Sequence, residues 1–207
     1  HVYERMLNYM YQYMGISVYY AESIGTISDN LKEIKPDILS TVPRLLEKVY
    51  DKIINTGRKQ KWLKRQIFFR AIKIGTRFEL DNANGWFYSI KLALVNKLVF
   101  SKWRAALGGN LKIIVSGGAA LQPRLARIFT AAGMDVLEGY GLTETSPVIA
   151  VNTLFENGRM FGTVGLPFKE ISVKIADDGE VLCKGPNVML GYYKDPELTA
   201  EVIDADG

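Results

Sequence analysis

Leu111-Lys112-Ile113-Ile114-Val115-Ser116-Gly117-Gly118-Ala119-Ala120 is the stretch that decides the fold. Leu111 to Val115, apolar but for Lys112, has the signature of a strand covered on both faces. It runs directly into glycines. A helix follows near Pro123, with Leu125, Ile128 and Phe129 apolar, and stops at Gly133. Val136-Leu137 is the next strand, and a second tight loop follows it: Gly139-Tyr140-Gly141-Leu142-Thr143-Glu144-Thr145. Strand, glycine loop, helix and strand in that order predict α/β layers.

The N-terminal third continues the alternation. Val2, Met6, Met10 and Met14, with Leu7 beside them, recur at helical spacing up to Gly15, a C-cap residue. Ser17 to Ala21 reads as a short strand. Ser28 can cap the segment Asp29–Ile34, which Pro36 ends. Ile38-Leu39-Ser40 suggests a buried strand. Pro43 suits the first turn of a helix whose inward face is Leu45, Leu46, Val49 and Ile53. Past residue 160 the texture changes. Ile171, Val173 and Ile175 alternate with Ser172 and Lys174, Asp177-Asp178-Gly179 turns, and Glu180 to Cys183 returns, predicting an antiparallel hairpin. The expected organisation is an α/β part over residues 1–159, holding a helical insertion over 58–105, then the start of a β-rich subdomain over 160–207.

Of the 207 residues one is a cysteine, Cys183, and one a histidine, His1. The single cysteine excludes a disulfide scaffold and a thiolate metal cluster, and the single histidine leaves almost nothing for a His-based metal site or a Ser-His-Asp relay. Cys183 reads as a buried small hydrophobe. The longest apolar stretch, Ile90 to Phe100, is broken by Lys91, Asn96 and Lys97, too short to span a bilayer. The chain opens as if inside a helix and ends on Asp204-Ala205-Asp206-Gly207, so the expectation is the middle of a larger soluble protein.

The net charge of +4 conceals a split: residues 58–112 carry +11 and the remainder −7. In the densest run, Arg58 to Arg77, Leu63, Ile67 and Ile74 share one side of a helix while Lys61, Arg65 and Lys73 reach another. Three readings stand: an ordinary amphipathic helix with solvated charges, a surface resting on anionic lipid headgroups, or contact with a polyanionic ligand. Nucleic acid is disfavoured, because no reader motif accompanies the charge.

Glycine loops between strand and helix are natural anion sites, since glycine lets the backbone approach a phosphate. Ser116-Gly117-Gly118 fits by position but is neither a Walker A nor a GxGxxG sequence, and tight packing of strand on helix accounts for it equally. In the second loop Tyr140 offers a ring for a base, Thr143 a hydroxyl for a phosphate oxygen and Glu144 a hard carboxylate for Mg²⁺. A surface loop with Glu144 solvated and Tyr140 packed is the plain alternative.

Gly139-Tyr140-Gly141-Leu142-Thr143-Glu144-Thr145 resembles the YGxTE signature of the adenylate-forming, AMP-dependent synthetase superfamily. Ser116-Gly117-Gly118-Ala119 resembles its preceding glycine loop. Gly162-Thr163-Val164-Gly165-Leu166-Pro167 and Gly185-Pro186-Asn187-Val188-Met189-Leu190-Gly191-Tyr192-Tyr193 resemble later blocks, in order. His1-Val2-Tyr3-Glu4-Arg5 and the basic insertion resemble the long-chain fatty acid–CoA ligase branch. The resemblance covers essentially the whole chain, as the central part of the large N-terminal domain.

It implies a ligase that joins a fatty acid to CoA through an acyl-adenylate, using ATP and Mg²⁺. Tyr140 would stack on adenine, Thr143 would contact the α-phosphate and Glu144 would ligate Mg²⁺, the last two being the catalytic pair. Ser116, Gly117, Gly118, Ala119, Gly139 and Gly141 would complete the nucleotide cleft. His1, Gly117 and Gly118 would border the acyl pocket. Localisation would be cytoplasmic, on the membrane face if residues 58–105 rest there. The family's phosphate loop, ribose-binding aspartate and C-terminal lysine are absent from these residues, so the isolated chain is expected to be inactive. Alternatives are a fatty acyl-AMP ligase, an adenylating enzyme for other carboxylic acids, or a non-catalytic peripheral membrane module.

Overall fold

In the computed structural model, which describes residues 1–205 and 207, the chain forms an α/β body on a mixed sheet. Its sheet runs β1 (Ile38–Thr41), β2 (Ile113–Ser116), β3 (Asp135–Gly141), β4 (Val148–Val151), β5 (Leu166–Pro167) in spatial as in chain order. The first three strands are parallel, with Thr41 opposite Ser116 and Ser116 opposite Glu138. β4 and β5 add antiparallel. The predicted hairpin is present as β6 (Ser172–Ile175) and β7 (Val181–Lys184), a separate two-stranded sheet. β5, although past residue 160, pairs with β4 in the main sheet.

Helices supply the layers. α1 (Val2–Tyr13) ends as expected: Gly15 takes a φ of +68°, its N–H meets the Gln12 carbonyl and that of Ile16 meets Tyr11. Only Leu7 of that helix is buried; Met10 and Met14 face out, so the methionine stripe is not its packed side. α2 (Ile27–Ile34) starts at Ile27 behind Thr26 rather than behind Ser28, because Ile27 and Leu31, one turn apart, are both drawn into the core. α3 (Pro43–Arg58) has Pro43 at its first turn and buries Leu46, Val49 and Tyr50.

The basic segment forms α4 (Trp62–Gly75), α5 (Trp86–Val95), a π-helical turn (Asn96–Phe100) and α6 (Ser101–Ala106), the last three continuous. α4 buries Phe68, Ala71 and Gly75, with Ile67, Ile72 and Ile74 packed beside them. Leu63 lies on the same side as Ile67 and Ile74 but is exposed, because it sits in the first turn, ahead of the core contact. α7 (Pro123–Ala131) lies on β3. α8 is Pro196–Val202. Trp103 centres the core, its ring 5.1 Å from Phe100 and 6.2 Å from both Phe68 and Phe129.

Three further expectations are corrected. Residues 17–21 form no strand: no neighbour pairs with them, and a cavity separates them from β1. The second glycine loop is shorter than expected, because β3 runs on through Gly141. β4, unforeseen from the sequence, supplies the ladder, with Gly139 opposite Val151 and a bulge at Tyr140/Gly141. Cys183 is half-buried rather than buried. Among the described residues no helix is long and apolar enough to cross a membrane.

Candidate functional site

Register places the two glycine loops together. β2 and β3 are adjacent and parallel with Ser116 opposite Glu138, so the Gly117–Ala119 loop leaves β2 beside Gly139–Gly141, the last residues of β3, at the carboxyl ends where open α/β sheets bind ligands. The Gly117 N–H donates to the Thr41 carbonyl at 3.3 Å, tying in the end of β1. Ser116 is fully buried, and its Oγ has no hydrogen-bond partner. Gly118 and Ala119 are exposed, Gly118 with a φ of +81°.

α1 closes over this edge. The Tyr3 hydroxyl donates to the Val115 carbonyl at 3.2 Å, and its ring lies so near Gly117 that a Cβ there would stand 2.8 Å from Cε2. Burial pushes the Tyr3 pKa well above its ordinary value. Glycine at 117 is therefore required by the helix above it. His1 caps α1, its Nδ1 accepting from the Tyr3 N–H at 3.3 Å. Between α1, residues 16–21, α2 and β1 lies a cavity of about 760 Å³, walled by Leu7, Ile16, Val18, Ile27, Leu31 and Leu39 and reached by His1 and Gly118. Tyr140, Thr143 and Glu144 are not on its wall; Tyr140 lies at the end of β3 and the other two in the turn after it.

The 3₁₀ turn Thr143–Thr145 is fixed from beneath. Thr145, buried, accepts the Leu142 N–H at 3.0 Å and donates to the Pro147 carbonyl at 2.7 Å. That leaves Tyr140 about one-third exposed and Thr143 exposed. The later blocks fold back onto the same place. The Tyr192 hydroxyl donates to Glu144 Oε1 at 2.8 Å, while the Met189 N–H meets the Glu144 carbonyl at 2.8 Å. This hydrogen bond, with some desolvation and the carboxylate's charge, raises the Tyr192 pKa. Asn152, buried, donates to the Thr163 carbonyl at 2.7 Å and binds the Gly162–Pro167 block to β4.

Tyr192, Thr145 and Tyr3 were not singled out from the sequence. Tyr192 lies 48 residues from Glu144, and only the fold brings them together. Glu138 was missed as well. It is buried beside Ser116, and burial lifts its pKa against a lowering hydrogen bond from the Leu121 backbone.

Residues 1–193 match the family described as AMP-binding enzyme, and the chain belongs to that family. It is 36% identical over 212 residues to a long-chain-fatty-acid–CoA ligase, FadD15, of Mycobacterium bovis, covering 98% of this chain and 34% of that protein. To the peroxisomal long chain acyl-CoA synthetase 6 of Arabidopsis thaliana it is 32% identical, covering 100% of this chain and 31% of that protein. The chain thus spans about a third of the length of the curated relatives it matches. Among solved structures it resembles the o-succinylbenzoate CoA synthetase of Bacillus subtilis in complex with its acyl-adenylate intermediate. The TM-score is 0.60 at 16% identity, over 99% of this chain and 34% of that one. The N-terminal domain of FACL13 from Mycobacterium tuberculosis gives the same score at 16% identity, over 99% and 43%. These two likenesses show the fold.

Proposed function

We propose that this chain is the central part of an ATP-dependent long-chain fatty acid–CoA ligase. The observation that carries the reading is the meeting of two glycine loops at adjacent strand ends, beside a large cavity with an apolar wall. Membership of the AMP-binding enzyme family and the identity to fatty acid–CoA ligases support it. The cavity's size and lining favour an acyl chain over a small polar acid.

In this reading a fatty carboxylate, ionised at neutral pH, attacks the α-phosphorus of ATP. A new P–O bond forms, the bond to pyrophosphate breaks, and acyl-adenylate results. The CoA thiol, losing its proton, then attacks the acyl carbonyl; a C–S bond forms and AMP leaves. Tyr140 stacks on adenine, and the exposed Thr143 hydroxyl donates to an α-phosphate oxygen. Ser116, Gly117, Gly118 and Ala119, with Gly139 and Gly141, shape a cleft the nucleotide can approach closely. His1 and Gly118 border the acyl chain. The donor set suits Mg²⁺ held mainly by substrate phosphates: one half-buried carboxylate, Glu144, and among the described residues no cluster of three ligating side chains. When bound, that ion would neutralise charge developing on the phosphates.

We further place the enzyme in the cytoplasm against an anionic membrane through residues 58–105, and assign residues 1–159 to the α/β part and 160–207 to the start of a β-rich part joined to the main sheet through β5. The test is to incubate the full-length protein with Mg-ATP and a long-chain fatty acid, with and without CoA, and to identify products by mass. Acyl-CoA plus AMP is expected. Acyl-adenylate that CoA cannot discharge would replace CoA by a carrier-protein thiol, and no AMP with any carboxylic acid would overturn the reading.

A further inference from the structure

α5 is apolar on the side turned away from the protein. Trp86, Phe87, Ile90 and Leu94 are between 51% and 65% exposed, and Leu98, just beyond in the π turn, is 52% exposed. Trp86, Ile90 and Leu94 repeat every four residues, and Phe87 joins Leu94 seven residues on, so they form one stripe. The Trp86 and Phe87 rings stack with centroids 3.6 Å apart. The helix is held firmly from behind: Val95 is buried, and the Tyr88 hydroxyl, pushed up to about 12 by burial, donates to the α4 carbonyl of Ile74 at 2.6 Å.

The helical surroundings are cationic. Lys91 and Lys97 are interleaved with the stripe, and Lys64, Arg65, Arg70 and Lys73 lie exposed on α4. Neither α4 nor the continuous helix from Trp86 to Ala106 contains an acid. The nearest acids in sequence are Asp81, exposed in the turn before α5, and Glu79, which is ion-paired with Arg127 at 2.9 Å.

We propose that α5 is a shallow membrane-docking element, its stripe entering the headgroup–acyl boundary of an anionic bilayer while Lys91 and Lys97 meet lipid phosphates. Aromatics, aliphatics and lysines on one short helix are what such a boundary takes. A second copy of the chain would bring the same cations face to face, which electrostatics opposes. Another part of the polypeptide would have to bury lysines inside its contact, which protein interfaces avoid. The proposal deepens the membrane placement above and moves its apolar contact from α4, whose apolar side is packed, to α5.

The test uses the full-length protein, with vesicles of phosphatidylcholine alone or mixed with phosphatidylglycerol, and without ATP or CoA. Flotation with the anionic vesicles only is expected. Ile90→Glu with Leu94→Glu should weaken it by roughly tenfold or more. Should that pair fail to fold, Lys91→Gln with Lys97→Gln should weaken binding and flatten its salt dependence. Trp86 emission should shift to the blue on docking, a change absent from Trp86→Phe. Undiminished binding in both pairs would overturn the proposal. So would a Trp86 already shielded from acrylamide before vesicles are added, since protein would then cover the stripe. Failure here leaves the ligase assay unaffected, and failure of that assay leaves docking measurable.

Discussion

A single hydroxyl joins two ends of the site. Tyr192 donates to Glu144 Oε1 at 2.8 Å and so fixes the carboxylate that we assign to Mg²⁺. Tyr192→Phe should leave folding intact yet weaken Mg-ATP binding by roughly two- to tenfold, read by titration of the full-length protein. Unchanged affinity would mean that Glu144 is oriented by the backbone alone. Glu138 makes a prediction about pH. Its raised pKa means the folded state keeps this proton to a higher pH than the unfolded chain, so stability falls as pH rises through that window. Glu138→Gln should therefore be the more stable protein at neutral pH, with the advantage shrinking as pH falls from the raised value toward the ordinary carboxylate value. Urea midpoints along a pH series measure it. Tyr140, Thr143 and Glu144 stand in one contiguous segment, so the sequence alone was enough to propose them together. Tyr192 was not legible in this way, since its role depends on a contact closed by the fold.

At the scale of elements, close packing sets the limits. A Cβ at Gly75 of α4 would stand 2.7 Å from Ile128 Cγ1 of α7 and 2.9 Å from Phe100 Cζ. Alanine gains about 1 kcal/mol of helix propensity, but overpacking costs about 1–3 kcal/mol, and Phe100 and Ile128 are fully buried with little room to give. Gly75→Ala should therefore be net destabilising in urea melts, and Ile128→Val should recover part of the loss. β2, α7 and the start of β3 were readable because continuous apolar runs and glycine stops are local signals. Residues 17–21 have the composition of a strand but lack an edge to pair with, and pairing is not written in composition. β4 escaped for the opposite reason: four residues after a proline look like loop until β3 is beside them.

For the whole molecule, we propose that the site groups work only as a set. The 207 residues span about a third of the length of the relatives they match. We expect no acyl-adenylate from the isolated chain, by mass detection, even where it binds nucleotide weakly. The π turn at Asn96–Phe100 bears on how such a molecule can change. It interrupts the helix that runs from the Trp86 stripe outside to Trp103 at the centre of the core, and Asn96 pins it there, donating to the Ala131 carbonyl at 3.0 Å and accepting from Arg104 at 2.9 Å. A π turn holds one residue more than an α turn. Loss of one codon there would restore a regular helix and rotate its two halves relative to each other by about 100°. A descendant lineage could thus turn its outer stripe away from the membrane in one mutational event, without altering a single residue of the nucleotide site.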